Sequence, residues 1–86
     1  MKKRILVTGG TGYIGSHTVV ELQNNGYEVI IVDNLSNSRA EVVDSIEQIT
    51  GIRPAFEKVD CLDYEGMDAV FAKYPGIQGV IHFAAS

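Results

Sequence analysis

Four short apolar runs punctuate the chain: Ile5-Leu6-Val7, Val29-Ile30-Ile31-Val32, Ala55-Phe56 with Val59, and Val80-Ile81 leading to Phe83. They are continuous or β-branched rather than strictly alternating, the pattern of strands buried on both faces of a parallel sheet. Between them lie three segments with helical spacing. The first opens at a glycine cluster, sets Ile14, Thr18 and Leu22 on one stripe, and stops at Asn24-Asn25-Gly26. The second begins at Ser38-Arg39-Ala40-Glu41, a capping box in which Ser38 caps a backbone N–H and Glu41 reaches back. Val42, Ile46 and Ile49 are its expected buried face, and Gly51 its end. In the third, Asp63 is the expected N-cap, Met67, Val70, Phe71 and Tyr74 form the stripe, and Pro75-Gly76 terminates it.

Strand and helix thus alternate as βαβαβαβ, an order that predicts an α/β fold with parallel strands joined by right-handed crossovers. No internal repeat or low-complexity linker interrupts it. At 86 residues the chain is one domain at most, with a thin core.

The stretch Val7-Thr8-Gly9-Gly10-Thr11-Gly12-Tyr13-Ile14-Gly15 lies between the first strand and the first helix. Read from Gly10 it is G-x-G-x-x-G; read from Gly9 it is G-x-x-G-x-x-G. Either register gives Gly12 the approach of a pyrophosphate to the backbone and Gly15 the close packing of helix on strand. The unpaired N–H groups and the positive end of the helix dipole then face the phosphates. A glycine-rich turn alone also serves simply as a tight strand-to-helix connection. Asp33, however, ends the second strand eighteen positions after Gly15, near the offset of roughly 20 residues expected of the acid that binds an adenosine ribose.

Strand, loop, helix, strand and acid in this order predict a Rossmann-type doubly wound parallel sheet, its first four strands in the order 3-2-1-4 with three helices, binding a dinucleotide. A carboxylate at position 33 accepts hydrogen bonds from free ribose hydroxyls and repels a 2′-phosphate, so NAD is expected over NADP. Arg39 is the nearby residue able to receive such a phosphate. Its place in the first turn of the second helix assigns it a solvated or capping role instead.

Composition narrows the partners. A net charge of −4 gives no basic footprint for nucleic acid, and Lys2-Lys3-Arg4 reads as a solvated lead-in to the first strand. No apolar run nears the roughly 20 residues of a membrane span, and the three apolar residues behind Met-Lys-Lys-Arg are too few for an export signal. One cysteine, Cys61, permits no internal disulfide and no zinc cluster with the two distant histidines, which fits a reducing, cytoplasmic setting. No metal site is expected: helix capping and solvation account for most of Asp60, Asp63, Glu65 and Asp68, with Asp60 at a strand end the exception.

The strings Thr8-Gly9-Gly10-Thr11-Gly12-Tyr13-Ile14-Gly15-Ser16-His17 and Val32-Asp33-Asn34-Leu35-Ser36-Asn37-Ser38 resemble the extended short-chain dehydrogenase/reductase superfamily. Within it they are most similar to the UDP-hexose 4-epimerases. The likeness runs along all 86 residues, including Asp60 and His82-Phe83-Ala84-Ala85. It implies that Gly9, Gly12, Tyr13, Ile14 and Gly15 hold the pyrophosphate of NAD, and that Asp33, Asn34, Leu35, Ser36, Asn37 and Ser38 surround the adenosine ribose. Asp60 and Cys61 would flank the adenine, and Phe83, Ala84 and Ala85 the nicotinamide side. Where that pattern often has Ile or Leu after the Asp, Cys61 is a small apolar substitute able to pack against a ring.

The resemblance further implies reversible hydride transfer at C4 of a UDP-hexose, with a tyrosine as acid/base and a lysine four residues later. No such pair is present: Tyr13, Tyr27, Tyr64 and Tyr74 are followed four positions on by His17, Ile31, Asp68 and Gln78. No catalytic residue is therefore assigned. Residues 1–86 are expected to be the N-terminal part of an NAD-binding domain, inactive alone, whose UDP-hexose-binding and catalytic part lies beyond Ser86 in a homodimeric enzyme. Other readings are a nucleotide-sugar dehydratase, decarboxylase or uronate epimerase of the same superfamily, and a non-catalytic dinucleotide sensor. His17 is expected to be solvated or backbone-bonded, His82 a hydrogen-bonded structural residue, and Cys61 buried rather than reactive.

Overall fold

The two most apolar runs become the two central strands, β1 (Arg4–Thr8) and β2 (Glu28–Val32). In the computed structural model, which describes residues 3–9, 13–33, 39–60 and 62–83, these are flanked by β3 (Ala55–Glu57) and β4 (Ile77–His82). The sheet is parallel throughout, in the order β3-β2-β1-β4. Three helices connect the strands: α1 (Tyr13–Asn24), α2 (Arg39–Thr50) and α3 (Tyr64–Lys73). Fold class and strand order are those the sequence predicts.

Alternation along the strands divides the core into two layers. Val7, Val29 and Ile31 face α1 and α2 and pack with Val19 and Ile46. Leu6, Ile30 and Val32 face the other way, onto Val70 of α3. Because both faces of β1 and β2 are covered, their apolar positions run without a polar break.

The helix faces differ from the sequence expectation by one residue. In α1 the stripe turned to the sheet is Gly15, Val19 and Gln23, with Leu22 beside it, while Ile14 is 66% exposed. Ile14, Thr18 and Leu22 therefore do not form the buried stripe. A side chain at the first turn would hold the helix off the strands, so the glycine turns inward, and Thr18 instead donates its hydroxyl to the Ile14 carbonyl. In α2 the buried pair is Val43 and Ile46, with Val42 at the margin and Ile49 68% exposed. In α3 only Val70 is fully buried, Met67 and Tyr74 pack beside it, and Phe71 looks to solvent.

The helix ends follow sequence more closely. Past α1, Tyr27 N–H bonds the Leu22 carbonyl at 3.0 Å and Gly26 N–H the Gln23 carbonyl at 3.1 Å, with Gly26 at φ 88°. This is the paired bonding of a Schellman stop, which requires the left-handed conformation that Gly26 adopts without strain. Asp63 caps α3, its carboxylate accepting the Gly66 N–H at 3.1 Å. Ser38, the expected cap of α2, lies outside the described residues.

β3 ends at Glu57, leaving Val59 beyond the strand, and β4 starts earlier than its apolar run suggests. Its residues alternate in burial, with Val80 53% exposed, because α3 sets Val70 over β1 and β2 and leaves that strip of β4 uncovered. At the amino-terminal ends of the central strands Arg4 ties three segments together, donating to Glu28 at 2.5 Å and to the Pro75 carbonyl at 2.6 Å. Among the described residues no helix is long and apolar enough to cross a membrane.

Candidate functional site

The chain leaves β1 toward α1 and β2 on one side, while β4 pairs with β1 on the other, so the crossovers diverge at the carboxyl ends of β1 and β4. Such a divergence opens a crevice in an open α/β sheet. Its walls are firmly tied here. Gly9 N–H donates to the Val32 carbonyl at 2.9 Å, and Phe83 N–H to the Thr8 carbonyl at 2.8 Å. Thr8 Oγ1 and His82 Nδ1 share a hydrogen bond of 2.6 Å across the seam. Gly9, at φ 73°, turns the backbone out of the strand in a conformation that side chains disfavour.

Asp33 immediately follows β2 and is only 7% exposed. Its N–H extends the ladder to β3 by one rung, donating to the Glu57 carbonyl at 3.2 Å. The structure thus brings Gly9, Asp33 and Phe83 to the same edge of the sheet. Phe83 packs its ring against the core on the α1–α2 face. Tyr13 opens α1, Ile14 projects to solvent from its first turn, and Gly15 is buried behind them. Asp60 is exposed after β3, and its carboxylate accepts the Leu62 N–H at 2.9 Å, shaping the turn into α3. Gly12, Asn34, Leu35, Ser36, Asn37, Ser38, Cys61, Ala84 and Ala85 lie outside the described residues, as does the side chain of Tyr13.

One charged cluster stands out beside this edge. Glu57 Oε2 accepts the Tyr74 hydroxyl at 2.6 Å and the Lys73 ammonium at 2.9 Å. The Tyr74 hydrogen bond, with help from Lys73, holds the Glu57 carboxyl below its ordinary value, while burial and the same bond push the Tyr74 phenol up. His17 is exposed on the outer surface of α1 and borders two shallow surface grooves, one of them shared with Glu41 and Ser45 of α2.

The sequence pattern of the NAD dependent epimerase/dehydratase family matches residues 5–86. The chain belongs to that family. UDP-glucose 4-epimerase of Bacillus subtilis is 58% identical over 80 residues, which cover 93% of this chain and 23% of that protein. Among solved structures, UDP-glucose-4-epimerase from Stenotrophomonas maltophila, with bound NAD and formylated UDP-arabinopyranose, superposes with a TM-score of 0.90 at 50% identity, over 98% of this chain and 25% of that one. The Bifidobacterium longum enzyme, in complex with NAD+ and UDP, gives 0.89 at 45% identity, over 98% and 25%. The chain therefore spans about a quarter of the length of these UDP-glucose 4-epimerases.

Within this epimerase/dehydratase fold, two features escape the sequence-level site assignment. Thr8 lies in the glycine string with no role assigned from sequence, although a threonine closing an apolar strand just before the glycines signals a polar tie. The Glu57–Tyr74 pair leaves no signal, since its partners are seventeen residues apart.

Proposed function

We propose that this chain is the NAD-binding, N-terminal segment of a UDP-glucose 4-epimerase, the enzyme that interconverts UDP-glucose and UDP-galactose. The observation that carries the reading is the buried Asp33 at the end of β2, one strand away from the Gly9 turn at the sheet's divergence point, in a chain of this family. The residues present fit the cofactor. A carboxylate held by the sheet at Asp33 suits the two adenosine ribose hydroxyls, and α1, which follows the Gly9 turn with Gly15 buried in its first turn, offers a helix N-terminus to a pyrophosphate.

Gly9, Gly12, Tyr13 and Ile14 line that pyrophosphate; Asn34, Leu35, Ser36, Asn37 and Ser38 complete the ribose pocket around Asp33; Asp60 and Cys61 border the adenine. Phe83, Ala84 and Ala85 border the nicotinamide. Bound NAD supplies the ring that accepts and returns the hydride. This chain's residues orient that ring and donate no proton, because the acid/base tyrosine, its lysine and the UDP-hexose pocket belong to the remaining length of the enzyme. The identities of 58% and 50% to UDP-glucose 4-epimerases support this activity over a dehydratase, decarboxylase, uronate epimerase or sensor. The complete enzyme is read as a cytoplasmic homodimer with no nucleic-acid or membrane partner.

The test is an assay of the full-length enzyme carrying this segment for conversion of UDP-galactose to UDP-glucose, alongside its Gly12→Val variant. The reading expects conversion by the parent and loss of bound NAD and activity in the variant, where a branched side chain occupies the pyrophosphate's place. A folded full-length protein that binds NAD and leaves both sugars unchanged contradicts it.

A further inference from the structure

We propose that Glu57 is a positioning residue for Asp33, clamped from α3 by Tyr74 and Lys73. The proposal rests on the reading of Asp33 as the ribose-binding carboxylate and adds what holds that carboxylate in place.

β3 is the weakest strand of the sheet: three residues long, only partly buried, and paired on one side alone. Its register sets Glu57 opposite Val32, so the Glu57 carbonyl is the group that takes the next N–H along β2, that of Asp33. At 3.2 Å that rung lies at the long end of the N–H···O range. A terminal rung on a short edge strand is among the first to open in local fluctuations.

The Glu57 side chain supplies the restraint that the short ladder lacks. It lies on the α3 face of the sheet, the face shared by Ala55, and its Oε2 receives two donors from the end of α3, Tyr74 Oη at 2.6 Å and Lys73 Nζ at 2.9 Å. Tyr74 is itself fixed. It is the C-cap of α3, its N–H bonds the Val70 carbonyl at 3.0 Å, and it packs against the buried cluster of Leu6, Ile30, Val32 and Val70. Restraint therefore passes from the core through Tyr74 to the Glu57 carboxylate, along one residue of backbone to its carbonyl, and across the rung to Asp33. With the carboxylate released, the end of β3 lifts and the Asp33 backbone loses its rung to the Glu57 carbonyl. The expected consequence is a ribose carboxylate that is present and less well aimed.

Amide hydrogen exchange of the full-length enzyme carrying this segment tests the clamp. In Tyr74→Phe, which removes only the hydroxyl, the Asp33 amide should exchange about tenfold faster while the β1 amides of Leu6 and Val7 keep their rates. Glu57→Gln retains an oxygen acceptor for Tyr74 and should stay nearer the parent rate than Glu57→Ala. In the full-length enzyme, Tyr74→Phe should weaken NAD by about three- to tenfold with NADP little changed. Unchanged Asp33 exchange in Tyr74→Phe, or a rise matched at Leu6 and Val7, overturns the clamp. Unchanged NAD affinity in Asp33→Ala overturns instead the ribose reading, and with it the positioning role.

Discussion

Thr8 and His82 join the two strands between which the crevice opens: Oγ1 of the one lies 2.6 Å from Nδ1 of the other, beside the backbone bond from Phe83 N–H to the Thr8 carbonyl. Thr8 is buried, so its hydroxyl depends on this partner. Replacing Thr8 by Val keeps the shape and removes the bond, at a cost of about 0.5–1.5 kcal/mol with more lost where His82 cannot turn to water. Urea unfolding of the two proteins measures it, and equal midpoints would show that the pair contributes nothing.

The inward stripe of α1 makes opposite predictions for two adjacent-looking apolar positions. Val19 is fully buried between α1 and the sheet, so Val19→Ala should cost about 2 kcal/mol through lost burial and the cavity left behind. Ile14→Ala, on the exposed first turn, should stay within about 0.5 kcal/mol of the parent. Denaturant titration of both distinguishes this face from the one the sequence spacing suggests, which assigns the larger loss to Ile14.

Gly66 reverses the usual helix-propensity rule. Glycine inside a helix ordinarily gains stability on replacement by alanine, by roughly 1 kcal/mol. Here an added Cβ meets Asp63 Oδ2 at 2.7 Å and Val59 Cγ1 at 2.8 Å, which displaces the capping carboxylate or the core valine. Gly66→Ala is therefore expected to destabilise, by about 1–3 kcal/mol. A raised thermal midpoint would show that α3 shifts freely to accommodate the methyl.

The strand-to-helix rhythm, the stop of α1 at Gly26 and the start of α3 at Asp63 were legible because each depends on local chemistry: β-branched runs, a glycine free to take positive φ, a carboxylate ahead of a helix. The helix faces were legible only to within one residue. Spacing alone cannot choose between a stripe starting at Ile14 and one starting at Gly15 when the deciding factor is how closely the helix must approach the strands. Asp33 was legible through its offset from the glycines. Glu57 was not, because its importance comes from a tertiary meeting with Tyr74, and an exposed-looking glutamate beside Lys58 reads as solvated surface. The edge place of β4 was legible in the order 3-2-1-4, whereas the exposure of Val80 was hidden, since an apolar run does not reveal which neighbouring helix fails to cover it.

The Glu57 cluster carries a pH dependence of definite sign. Its carboxyl is held below the ordinary glutamate value of 4.5 by the Tyr74 hydroxyl first and Lys73 second. The folded chain thus binds fewer protons than the unfolded chain just below that value, so the stabilisation is complete above it and disappears as pH falls through the folded value. Comparing urea midpoints of the parent and Glu57→Gln from about pH 7 down to about pH 3, the deficit of the variant should be largest at neutral pH and shrink in acid. A deficit constant across that range would assign the effect to packing alone.

The most direct measurement is a pair of titrations, NAD and NADP, on the full-length enzyme with Asp33 intact and with Asp33→Ala. Loss of charge-assisted hydrogen bonds to the ribose should weaken NAD by roughly 10- to 150-fold, corresponding to about 1.5–3 kcal/mol. NADP should lose far less or gain, because the same substitution removes a negative charge facing its 2′-phosphate. Equal weakening of both cofactors would mean that Asp33 only holds the strand end in shape, and would contradict the assignment of this site to the adenosine ribose of NAD.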